Sequence, residues 1–163
     1  MCLFKKKVNH SLSLGSNAYE FVDLGLSVKW ANKNVGSEYE DKVGVYFNYD
    51  EAEERYYELP TVEEVRELFE KCKIKYNKNK NGFDVKGPNG NQIFIPVSGE
   101  RDGNAHYEGG YFWTCSDHEK RYMKGYKYYA CIYLGNWYLK NVKTEVNFLK
   151  RDCFWINVRE VER

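Results

Sequence analysis

The sequence predicts an α+β domain, on three observations. One well-capped amphipathic helix stands in the first half of the chain. Short segments of alternating or β-branched character dominate the remainder. At 163 residues the chain has the length of one domain, able to bury roughly 70% of its unfolded surface. Its 42% hydrophobic and 30% charged content is that of an ordinary globular protein. The 17% aromatic content is high.

Residues 1–18 read as a flexible leader: the cluster Lys5-Lys6-Lys7, then Ser11, Ser13, Gly15, Ser16 and Asn17. A single domain is expected over 19–163. Phe21, Val22, Leu24, Leu26, Val28 and Trp30 suit one or two short strands, with Gly25 as a bend. Asn32 to Asp41 is turn-rich, and Val43–Phe47 suits a short buried segment. A helix follows from about Val62 to Lys73. Thr61 is its N-cap, Glu64 completes a capping box, and Pro60 marks the entry. Val62, Val65, Leu68, Phe69 and Cys72 share one face, so Cys72 is expected in the core. A hairpin is expected next, with Gly82–Lys86 and Ile93–Ile95 joined through Pro88-Asn89-Gly90-Asn91. Residues 98–110 read as a long polar loop. Late strands are expected at 111–115, 128–135, 137–142 and 153–159.

Charge and cysteines restrict the partners. Residues 50–70 hold nine acids and two bases, and 71–163 hold seventeen bases and ten acids. Neither half has the concentrated basic patch of a nucleic-acid binder. No apolar run reaches the roughly 18 residues of a membrane span. Cys2, Cys72, Cys115, Cys131 and Cys153 are odd in number and lack a C-x-x-C pair. Reduced, mostly buried thiols in a cytoplasmic protein are expected. Leu3-Phe4 before the lysines is too short for a signal-peptide core, although a cell-surface lipoprotein cloned from its lipidated Cys2 would also begin Met-Cys.

Several blocks carry a family resemblance. Asp23-Leu24-Gly25-Leu26-Ser27-Val28-Lys29-Trp30-Ala31 with Asn34-Val35-Gly36 resembles the opening of the FISUMP family (Fibrobacter succinogenes major paralogous domain). Gly44-Val45-Tyr46-Phe47, Leu59-Pro60-Thr61, Gly87–Asn91 with Ile93–Pro96, Gly110–Thr114 and Val158-Arg159-Glu160-Val161 follow in the family's order. Glu160 stands where the family usually has proline, and Phe154-Trp155-Ile156 replaces a smaller stretch. The resemblance implies the C-type-lectin-like fold of formylglycine-generating enzymes. Some proteins of that fold are variable proteins of diversity-generating retroelements, with a ligand surface on late strands and loops.

Catalytic chemistry has little support in the residues. The resemblance makes Cys115 and Cys131 the analogues of a copper-binding pair, but their surroundings do not match the enzyme's motif, and two buried strand cysteines are the plainer reading. His10, His106 and His118 are scattered, and Asp117-His118-Glu119 are adjacent residues that point in different directions. Glu53, Glu54 and Glu58 suit a solvated helix face better than a glycosidase pair. No resident cofactor is expected. Asp102, Asn104 and Glu108 leave calcium open as the one ion to consider.

The aromatic stretch Tyr107–Tyr138 holds eight tyrosines, two tryptophans and a phenylalanine. Trp113, Tyr129, Tyr133 and Trp155 fall within expected strands and suit a core. Others lie beside Asn, Lys and Arg near turns, as in sugar-stacking and protein-binding surfaces. The expected ligand residues are Arg121, Tyr122, Tyr126, Tyr128, Asn136, Trp137, Tyr138 and Asn141. The function expected is non-catalytic recognition of a protein or carbohydrate. The alternatives are a formylglycine-generating-type oxidase or an assembly protein of a phage or mobile element.

Overall fold

The computed structural model describes residues 19–55, 57–99, 109–115, 125–135, 141–150 and 154–163. Strands β1 (Phe21–Val22) and β2 (Lys29–Ala31) come first, with Gly25 at φ 75° in the bend between them. β3 (Tyr46–Phe47), helix α1 (Tyr49–Glu54) and helix α2 (Val62–Lys71) follow. Next is a three-stranded unit of β4 (Lys73–Asn77), β5 (Gly82–Lys86) and β6 (Gln92–Pro96). The late strands are β7 (Gly109–Trp113), β8 (Tyr126–Leu134), β9 (Val142–Lys150), β10 (Ile156–Asn157) and β11 (Val161–Glu162). The class is α+β, as expected.

Three sheets organise these strands: β1-β2-β11, β3-β10-β7-β8-β9 and β4-β5-β6. All pairings are antiparallel except β10 with β7, which is parallel at Asn157 and Phe112. The five-stranded sheet has a core on each face, and alternation along β8 shows why. Ala130 and Ile132 join Phe112, Val65, Leu68 and Phe83 on one side. Tyr129 and Cys131 join Tyr111, Trp113, Tyr49 and Ile156 on the other. Of the aromatics expected in the core, Trp113 and Tyr129 are buried, while Tyr133 and Trp155 are half-buried.

α2 begins where its capping box predicts. Thr61 Oγ1 accepts from Glu64 N at 3.2 Å, and a Glu64 carboxylate oxygen accepts from Thr61 N at 2.7 Å. The helix ends at Lys71, two residues short of the expectation, because Cys72 is already extended and leads into β4. Cys72 is half-buried against the helix-side core, and burial pushes its thiol up to about 11. Glu67 ties α2 to the β1–β2 bend. Its carboxylate accepts from Lys71 Nζ at 2.7 Å, from Ser27 Oγ at 2.5 Å and from Ser27 N at 3.0 Å, which brings its pKa down to about 2.

Four elements differ from the sequence reading. α1 is a second helix, closed by an Asn48–Glu51 capping box and too short for apolar periodicity to reveal. β4 occupies a lysine-rich segment with only Ile74 and Tyr76 packed against the core. β9 runs over Val142–Lys150, paired along its whole length with β8, where a strand was expected only up to 142; residues 137–140 of that expected strand lie outside the described residues. Of the strand expected at 153–159, only Ile156–Asn157 is strand among the described residues, as β10, and β11 lies beyond that range at Val161–Glu162; residue 153 lies outside the described residues.

The hairpin turn docks directly on the β1–β2 bend. Asn89 Nδ2 and Asn91 Nδ2 donate to the carbonyl of Asp23 at 2.9 and 2.8 Å. At Gly87 a Cβ would stand 2.1 Å from the Leu24 carbonyl oxygen, so only glycine allows this approach. Gly87→Ala is expected to destabilise the fold by about 2–3 kcal/mol through this overlap. Urea denaturation measures it, and a loss within ~0.5 kcal/mol, the range of an inert surface change, would show that the turn does not bear on Leu24.

Candidate functional site

The late hairpin of β8 and β9 carries the candidate surface. Its register runs from Tyr126 opposite Lys150 to Leu134 opposite Val142, and Gly135 N donates to Asn141 O at 2.9 Å just beyond. Tyr126, Tyr128, Ala130 and Ile132 alternate onto the face that packs on α2. Lys127, Tyr129, Cys131 and Tyr133 occupy the opposite face. There Tyr111 stacks on Tyr129 at 5.9 Å, Tyr49 meets Trp113 edge-on at 5.5 Å, and Lys127 Nζ lies 5.0 Å from the Tyr49 ring centre.

Of the expected ligand residues, Tyr126, Tyr128 and Asn141 are described. Tyr126 is 43% exposed, one of three large hydrophobic residues at the surface among the described residues, with Tyr39 and Val45. Tyr128 is half-buried and Asn141 is exposed. The three do not converge within one chain. Asn141 pairs at the level of Gly135, seven residues along β8 from Tyr128, or about 24 Å. Arg121, Tyr122, Asn136, Trp137 and Tyr138 lie outside the described residues. So do His10, His106 and His118, the triplet Asp117–Glu119, and Asp102, Asn104 and Glu108. Among the described residues no group of three metal-ligating side chains gathers.

The cysteines correct the expectation of uniformly reduced thiols. Cys115 is disulfide-bonded, while Cys131 is free and buried. They are not bonded to each other. Thr114 N donates to Tyr128 O, so Cys115 stands level with residue 127, four positions from Cys131 and about 14 Å along the strand. Spacing in sequence could not reveal this, because register decides which cysteines meet.

Beneath the surface lies a charged site that the sequence reading passed over. Arg159 is fully buried. Its Nε donates to Asn34 Oδ1 at 2.9 Å and its Nη1 to Ala31 O at 3.1 Å, while Nη2 has no partner among the described residues. Burial lowers its pKa to about 9, so the guanidinium remains charged at neutral pH, aided by the field of Glu40. Next to it, Glu160 is 8% exposed and accepts from Glu58 N at 2.8 Å. Burial raises the Glu160 pKa against that hydrogen bond. The legible signal was a charged pair flanked by Val158 and Val161, where alternation would place at least one charge inward.

No helix among the described residues is long and apolar enough to cross a membrane. No family model, curated protein or solved structure matches the chain.

Two predictions follow from the buried pair. Asn34→Ala strips Arg159 of its side-chain acceptor and is expected to cost about 3 kcal/mol. Adding Arg159→Met should restore part of that loss, since the orphaned charge goes with it; strictly additive losses in a double-mutant cycle would mean the two groups are uncoupled. For Glu160 the native carboxyl holds its proton more tightly than the unfolded one. Its contribution is full below about pH 4.5 and is lost as pH rises through the raised native value. Glu160→Gln should remove that part of the pH dependence while keeping the acceptor for Glu58 N, as read from melting temperatures across mildly acidic pH.

Proposed function

We propose that the chain is a non-catalytic recognition domain with a C-type-lectin-like fold of the FISUMP kind. It takes a protein or carbohydrate ligand on the ends of the late hairpin. The observation that carries the reading is the exposure of Tyr126 in a structure that buries or half-buries nearly all its other described aromatics, Tyr39 being another exposed one. A flat, half-polar ring held on a strand suits sugar stacking or a protein hot spot at low entropic cost. The family part of the reading is supported by how the resembling blocks meet. Asp23–Gly25 docks on Gly87–Asn91. Asn34–Gly36 meets Gly44–Phe47 through Val45 N and Val35 O, and Arg159 joins the first of these through Asn34. Motifs distant in sequence thus serve as one another's packing partners.

The oxidase alternative loses its central element, because the cysteines it requires are four positions apart in register and only Cys131 is a free thiol. The Cys115 disulfide also favours an oxidising compartment over the cytoplasm. Screening the full chain on immobilised glycans and on candidate protein ligands, followed by variants, tests the reading. Tyr126→Ala is expected to weaken capture at least roughly tenfold with stability changed by no more than ~0.5 kcal/mol. Asn141→Ala tests the other end separately. Full binding by both variants would remove the ligand surface from this hairpin.

A further inference from the structure

β9 ends the five-stranded sheet, and among the described residues no strand pairs with its outer edge. It is nine residues long, and Lys143, Thr144 and Glu145 are all exposed. A long open edge is a template for another strand, and proteins usually blunt it with charge. The sequence across this edge reads Asn141-Val142-Lys143-Thr144-Glu145-Val146-Asn147. It mirrors itself about Thr144, except that the two flanking charges are opposite in sign.

We infer that β9 pairs antiparallel with β9 of a second copy about a two-fold axis at Thr144, joining two five-stranded sheets into one. In that register Lys143 of each copy lies directly opposite Glu145 of the other. Val142 lies opposite Val146, and the two Thr144 residues face each other. Opposite charges and β-branched pairs at directly opposed positions are what stabilise an antiparallel ladder. No ion pair engages Lys143 or Glu145 among the described residues. The same charges that repel an arbitrary strand therefore select a second copy in one orientation. Beside the edge, a shallow groove of about 300 Å³ is lined by Arg66, Phe69, Glu70, Thr144, Glu145 and Val146. It leaves room on the helix side for the incoming valines. A contact centred on one strand pair is small beside the roughly 1,600 Å² of a standard interface, so association is expected to be weak and concentration-dependent.

The test is sedimentation velocity of the full chain over a wide concentration series, with charge variants whose fold is checked by circular dichroism. The wild type should pass reversibly from monomer to dimer. Lys143→Glu places Glu against Glu twice, and Glu145→Lys places Lys against Lys twice, so each alone should dimerise about tenfold more weakly or worse. An equimolar mixture of the two variants restores both opposite-sign pairs and should dimerise as well as the wild type. The double variant Lys143→Glu, Glu145→Lys should do the same by itself. A wild type that stays monomeric at every concentration would overturn the inference. So would a dimer indifferent to the single substitutions, or single variants whose mixture fails to recover.

Discussion

The segment from Ile156 to Arg163 is the constraint on which the rest of the fold depends, and the buried guanidinium of Arg159 is its centre. Within eight residues this segment pairs with β3 and β7, and then with β2. It also accepts from Val35 N through Val158 O and donates through Val161 N to Glu58 O. Asn157 Nδ2 holds the carbonyls of Val43 and Val45 at 2.9 and 3.1 Å. Arg163 reaches Glu58, Glu64 and Leu59 O near the start of α2. Burying an ion costs several kcal/mol, and each hydrogen-bond acceptor offsets part of that cost. Asn34 Oδ1 and Ala31 O are the acceptors of Arg159 among the described residues. Withdrawing them leaves the buried charge uncompensated, and it is the arrangement of the 31–45 loop that supplies both.

That arrangement explains why β3 and β11 need only two residues each. A two-residue strand has little stability of its own. Here each is flanked by side-chain bonds from the same segment, so pairing and side-chain satisfaction are gained together. The five-stranded sheet is then sealed at the β3 side, where Phe47 O accepts from Trp113 Nε1 at 2.8 Å. The opposite margin is β9, whose outer edge no strand among the described residues covers.

What the sequence made legible follows from how local each cause is. The α2 capping box, the Gly25 bend and the Pro88–Asn91 turn are set by residues within four positions of one another, and all stand as read. α1 had an equally local signal in Asn48 and Glu51, but one and a half turns give no periodicity to support it. β9 alternates Val142, Thr144 and Val146 against Lys143, Glu145 and Asn147, yet the sequence reading ends its strand at 142. Its limits are imposed by register with β8. A buried charge near Arg159 is legible from the flanking Val158 and Val161, but the partners of Arg159 and of the disulfide-bonded Cys115 are not, because topology fixes them. The candidate ligand residues were grouped by closeness in sequence, whereas a hairpin sends its two ends apart.

That last point changes meaning if two copies meet along β9. Pairing about Thr144 reverses strand direction, so position i of one β9 faces position 288 − i of the other. Tyr128 is opposite Phe148 on its own β9, and the neighbouring position, Asn147, faces the partner's Asn141. Tyr128 of one copy and the partner's Asn141 are then separated by two strand spacings, roughly 10 Å, instead of the roughly 24 Å between the same positions within one chain. Alternation, however, puts Tyr128 with Ala130 and Ile132 on the helix side of the sheet, and Asn141, one position before Val142, on the other. Pairing therefore shortens the distance along the sheet but leaves the two side chains on opposite faces, so a small ligand on either face meets one of them. Recognition at the hairpin ends and association along β9 are thus separate properties, and a ligand held at one end shifts the monomer–dimer balance only if it also touches the partner's strand.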